Sequence, residues 1–104
     1  MAKWVAVARE ADFEDQPVKM VIYDGERIAL FRLEDGIYAI DDECSHATAS
    51  LAEGRVDDHI VECPRHGARF DIRTGKHLSF PAVTPVKSYP VKVENGNVYI
   101  YVED

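Results

Sequence analysis

Basic residues, cysteine and long apolar runs are what this sequence has little of. Its 104 residues hold 12 Lys and Arg against 19 Asp and Glu, a formal net charge of -7. Binding a phosphate backbone requires a basic surface, so nucleic acid is excluded as the expected partner, and an anionic membrane surface with it. An acidic surface by itself signals no more than solubility. No apolar stretch approaches the roughly 20 residues that a membrane helix needs. Met1-Ala2-Lys3-Trp4-Val5 leads into a strand-like pattern without a signal-peptide apolar stretch or cleavage site, so the chain is expected in the cytoplasm. A Gly-rich phosphate loop, a nucleophile constellation and a His/carboxylate metal site are all missing, which argues against an enzyme acting alone.

What is present is concentrated in two short clusters. The two cysteines each have a histidine within three positions, in Cys44-Ser45-His46 and in Cys63-Pro64-Arg65-His66-Gly67. Sixteen residues separate His46 from Cys63. A disulfide is disfavoured in a reducing compartment. Burial as two small hydrophobes is the usual fate of lone cysteines, but it would make both neighbouring histidines coincidences. Two soft thiolates and two imidazoles form a four-ligand set that suits either Zn or an iron–sulfur cluster. His59 and His77 sit beside turn signals with no cysteine nearby, and they read as ordinary histidines.

The sorting of the ligands separates the two metals. Structural zinc sites usually pair cysteines with cysteines and histidines with histidines; here each half carries one of each. The pattern C-x-H, sixteen residues, C-x2-H resembles the Rieske [2Fe–2S] motif. The resemblance continues through Gly67, Phe70-Asp71 and Gly75, and more loosely over the whole chain. It implies one [2Fe–2S] cluster per chain, with Cys44 and Cys63 on one iron and His46 and His66 on the other. Gly67 would let its backbone N–H approach a sulfur, or else serves a tight turn.

The chain is similar in particular to the Rieske-type ferredoxins of bacterial aromatic-ring-hydroxylating dioxygenase systems. That resemblance implies a one-electron carrier between an NAD(P)H-dependent flavoprotein reductase and a terminal oxygenase, not an enzyme itself; a small shuttle is most simply a monomer. The alternative expectations are a Rieske-like small subunit of a larger oxidoreductase, such as an assimilatory nitrite reductase, and a zinc-stabilised module. Respiratory and photosynthetic Rieske proteins carry two further cysteines, where this chain has Ala49 and Arg65, and serine and tyrosine hydroxyls, where it has Ala68 and Phe70. Without those donors the reduced state gains less, so the potential is expected at the low end of roughly −150 to +300 mV.

The fold expected is all-β: one domain over 1–104, a Rieske-like antiparallel sandwich or barrel, with a cluster-binding part of two loops at one tip, about 43–80. Strands are expected over 4–8, 18–23, 26–33, 37–40, 86–94 and 98–102, with hairpin turns at Asp24-Gly25, Asp35-Gly36 and Asn95-Gly96. Ile28, Leu30 and Arg32 read as one face of their strand; residues 9–16 read as a loop closed by Pro17. A hairpin over 55–62 should deliver Cys63, 47–52 should form a helical turn, and the prolines of 79–85 should cover the cluster. Pro90 should mark an edge strand or a bulge. Arg65, Arg69, Arg73 and Lys76 give the second loop a local basic character.

Overall fold

Asp24-Gly25 and Asn95-Gly96 adopt left-handed backbone at both positions, with φ of 52° and 80° in the first and 53° and 79° in the second. Two-residue hairpin turns demand that conformation, and Asp-Gly and Asn-Gly adopt it at least cost. The computed structural model describes residues 2–44, 49–65, 67–79 and 84–103. In chain order it forms β1 (Ala2–Arg9), β2 (Val18–Tyr23), β3 (Glu26–Leu33), β4 (Gly36–Asp41), β5 (Arg55–Asp57), β6 (Ile60–Glu62), β7 (Arg69–Asp71), β8 (Ser88–Tyr89), β9 (Val91–Glu94) and β10 (Asn97–Glu103). Short 3-10 turns cover Glu10–Phe13 and Leu51–Glu53.

Three antiparallel sheets result, ordered β1-β10-β9, β2-β3-β4-β8 and β5-β6-β7. The four-stranded sheet lies in the middle. One of its faces packs on the β1-β10-β9 sheet through Ile28, Leu30, Val98 and Ile100. Its other face packs on the β5-β6-β7 unit through Ala29, Phe31, Ile40 and Phe70. Because alternate strand residues point to opposite faces, covering both faces buries β3 continuously from Ile28 to Phe31. Ile28 and Leu30 share one of those faces as expected, whereas Arg32, expected beside them, is exposed.

Two local expectations change. Residues 9–16 are not an open loop. The Asp12 carboxylate accepts the Arg9 backbone N–H at 2.9 Å and the Lys19 ammonium at 2.8 Å, and the resulting turn drives Phe13 into the core. The Lys19 hydrogen bond, then that from Arg9, holds the Asp12 carboxyl below the usual carboxylate range. The run expected over 86–94, for its part, is split at Pro90 into two strands, each at the edge of a different sheet as the proline predicts, β8 against β4 and β9 against β10. Proline has no N–H to continue a ladder, and its carbonyl accepts the Tyr101 N–H at 3.0 Å. The chain changes sheets at that residue.

Candidate metal centre

The two cysteines stand at the mouths of loops that are closed in the same way. At the end of β4, the Cys44 N–H donates to the Ala49 carbonyl at 3.0 Å, and Glu43 bridges to Ser50. At the end of β6, the Cys63 N–H donates to the Ala68 carbonyl at 2.7 Å, and Glu62 pairs with Arg69 on β7. In both loops the bond runs from the cysteine to the fifth residue after it. The β5–β6 hairpin delivers Cys63 as expected, with Asp58 left-handed at φ 57° in its turn. Of the helical turn expected over 47–52, residues 51 and 52 fall in the short 3-10 segment Leu51–Glu53 and Ser50 is extended ahead of it, while 47 and 48 lie outside the described residues.

Gly67 takes φ 76° and donates its N–H to the Cys63 carbonyl at 3.1 Å. Its role is therefore the tight turn, and that N–H is directed at oxygen.

Both thiols are shut away from water, Cys44 at 3% and Cys63 at 1% relative exposure. They belong to one apolar cluster with Leu51, Val61, Ala68 and Phe70. No disulfide joins them. Two cysteines from separate loops, buried in one apolar cluster, match what one iron of a [2Fe–2S] unit takes from protein. His46 and His66 lie outside the described residues, as do 80–83 of the proline segment. Among the described residues no group of three or more His, Cys, Asp or Glu is disposed to hold a metal ion. His59 contacts the Asp58 carboxylate at 3.0 Å, His77 has a buried Nδ1 with no hydrogen-bond partner among the described residues, and neither forms a metal-binding group with the two cysteines.

The electrostatics near the site are more balanced than the sequence implied. Arg69 pairs with Glu62 at 3.2 Å and Arg73 with Asp35 at 3.2 Å, which neutralises half of the expected basic group. Arg65 and Lys76 remain exposed. On the other side of the first loop, the Tyr89 hydroxyl donates to Asp41 at 2.7 Å. Burial first, and then that hydrogen bond, push the phenol well above its ordinary range.

Two residues near the site do more than the sequence states, and of them only Asp42 carried no signal that periodicity or motif could find. Asp42 reads as part of a solvated acidic run, Asp41-Asp42-Glu43, yet is fully buried. Gly75 reads as a turn glycine, and it is also a point of close backbone approach to Val86.

Comparison with known proteins agrees with this geometry. The Rieske [2Fe-2S] domain model matches residues 3–90. The 3-phenylpropionate/cinnamic acid dioxygenase ferredoxin subunit of Photorhabdus laumondii is 51% identical over 78 residues, 74% of each chain. The ferredoxin component of the naphthalene 1,2-dioxygenase system of Pseudomonas putida is 39% identical over 98 residues, 94% of each chain. A chain from the complex of reduced oxygenase and oxidized ferredoxin in carbazole 1,9a-dioxygenase aligns with a TM-score of 0.85 at 36% identity, covering 93% of this chain and 91% of that one. A Mycobacterium tuberculosis chain described as an NADH-dependent nitrite reductase small subunit aligns with a TM-score of 0.84 at 25% identity, covering 100% and 98%. With its paired cysteine loops and this match over most of its length, the chain belongs to the Rieske [2Fe–2S] domain family, whose cofactor is a Rieske-type [2Fe–2S] cluster.

Proposed function

We propose that this chain is the ferredoxin of a ring-hydroxylating dioxygenase system. It takes single electrons from an NAD(P)H-dependent flavoprotein reductase and passes them to a terminal oxygenase. The observation that carries the reading is the burial of Cys44 and Cys63 in one apolar cluster, at the mouths of two like-built loops. Identity of 39–51% to ferredoxin components of dioxygenase systems supports it.

In this reading Cys44 and Cys63 hold one iron, and His46 and His66 hold the other. When bound, the cluster supplies a one-electron couple whose net charge goes from zero to −1, counting two neutral imidazoles in place of two thiolates. The protein's own part is to keep the cysteine sulfurs dry, fix both loops by backbone bonds, and leave the imidazole edges as the route to partners. The chain turns over nothing alone. It works as a single domain over 1–104, with 43–80 as the cluster-binding part, and as a monomer in the cytoplasm. No helix among the described residues is long and apolar enough to cross a membrane.

The second reading, a small subunit of a nitrite reductase, is favoured by the 25% likeness to one such chain. It is the weaker of the two, because identity to dioxygenase ferredoxins is higher. An anaerobic redox titration, followed by visible absorption and electron paramagnetic resonance, tests the carrier. A reversible one-electron step with a Rieske-type signal supports it, and colourless protein containing zinc overturns it. Reconstituted aromatic hydroxylation with a dioxygenase reductase and oxygenase separates the ferredoxin from the nitrite reductase subunit.

A further inference from the structure

Among the described residues, Asp42 is the one charged side chain that is fully buried, at 0% exposure. It stands two positions before Cys44, and its contacts reach across the first loop. Its Oδ1 accepts the Ser50 hydroxyl at 2.8 Å and the Ala52 backbone N–H at 2.9 Å. Its carbonyl accepts the Leu51 N–H at 2.7 Å, and its own N–H donates to the Arg27 carbonyl at 3.0 Å. The residue thus ties the strand entering the loop to the segment leaving it.

The second carboxylate oxygen is different. Oδ2 is buried and has no hydrogen-bond donor among the described residues. Its nearest cation is the Arg27 Nε at 3.9 Å, a long contact. That guanidinium is 40% exposed and is shared with Glu43, at 3.5 Å. A carboxylate held out of water with one oxygen undonated is a costly arrangement. The tie to Ser50 and Ala52 needs only one acceptor oxygen, which an uncharged amide would also provide. Loop anchoring therefore accounts for Oδ1 and leaves the charge itself without a role.

We propose that Asp42 positions the first ligand loop through Oδ1 and, through its incompletely offset charge, holds the reduction potential of the site down. The inference rests on the reading of the chain as a Rieske electron carrier. One electron enters on reduction, supplied by the reductase or a chemical donor, and no bond to Asp42 forms or breaks. The reduced site carries one more negative charge than the oxidised site. A fixed negative charge in a poorly screened interior raises the energy of the reduced form more than that of the oxidised form. Arg27 acts in the opposite sense, and less strongly, because water and salt screen an exposed cation.

The test is an anaerobic redox titration of iron-loaded parent, D42N, R27Q and S50A proteins at low and high salt, with the electron paramagnetic resonance spectrum and the rate of iron loss to a chelator recorded for each. D42N keeps an acceptor for Ser50 and Ala52 and removes the charge, so its potential should move positive with the Rieske-type signal retained. R27Q should move it negative, by an amount that shrinks at high salt. S50A removes the side-chain donor of the two that reach Oδ1 and keeps the charge; it should release iron several-fold faster, with a smaller shift in potential than D42N. A loaded D42N protein at the parent potential overturns the electrostatic assignment, as does an R27Q protein unmoved at low salt. Should D42N not hold iron, R27Q decides that assignment alone. S50A retaining iron as long as the parent overturns the positioning role. A parent protein with no Rieske-type signal would overturn the underlying carrier reading, a distinguishable result.

Discussion

Val86 donates its backbone N–H to the Gly75 carbonyl at 2.9 Å, and a Cβ placed on Gly75 would collide with the Val86 carbonyl oxygen. Gly75 also takes φ +80°, a left-handed backbone that side chains disfavour. The contact clamps the turn after β7 to the segment that leads into β8. Gly75→Ala should therefore cost more than the roughly 1 kcal/mol or more of backbone strain alone. At about 4–8 °C per kcal/mol for a domain of this size, thermal unfolding by circular dichroism should show a fall well beyond that. Gly25→Ala is the control: the same φ, +80°, with nothing within 4 Å. Equal losses in the two variants would refute the close-approach argument.

Cys44 and Cys63 should each be indispensable for the metal. Cys44→Ser and Cys63→Ser should lose nearly all bound iron and the visible colour, measured by iron assay and absorption. His59→Asn should keep both, because the side-chain hydrogen bond of His59 among the described residues is to the exposed Asp58 carboxylate.

Ala68 and Phe70 are fully buried in the same apolar cluster as the two cysteines, so no hydroxyl is offered from these positions. The potential should lie near −150 mV, the bottom of the Rieske window. Ala68→Ser should raise it. A net hydrogen bond of about 1 kcal/mol corresponds to roughly 40 mV for one electron. Spectroelectrochemistry decides this, and a parent potential high in the window would contradict the missing-donor argument.

The Tyr89–Asp41 hydrogen bond gives an alkaline signature. Burial, then Asp41, raises the Tyr89 pKa above its ordinary value of 10.0. A folded-state pKa that is raised favours folding fully below about pH 10, and the contribution is lost as pH climbs past that value. Tyr89→Phe should cost about 1.5–3 kcal/mol near neutral pH, since the bond is to a charged acceptor. Its stability should also fall less steeply above pH 10 than the parent's. Urea melts across pH 7 to 11 would show both, and parallel curves would remove Tyr89 as the titrating group.

Part of this molecule was written locally. Asp24-Gly25 and Asn95-Gly96 require left-handed backbone, a property of the residues themselves, so both hairpins were visible before any packing was known. The Cys/His pattern was equally local, because thiolate and imidazole chemistry limits which metals can bind, and its spacing resembled one family's motif. His46 and His66 are assigned to the site by that pattern alone.

The rest depended on what packs against what. The continuous burial of Ile28, Ala29, Leu30 and Phe31 follows from layers on both faces of the central sheet, which no single strand encodes. Pro90 announced a break, but the change of sheet came from β4 and β10 each claiming one side of it. Asp42 is the sharpest case: an acidic residue among acidic neighbours reads as solvated, and only the folding of Ser50 and Ala52 over it makes it a buried charge. Turn geometry and ligand chemistry belong to residues and survive in the sequence; burial belongs to pairs of surfaces, and only the tertiary structure brings those together.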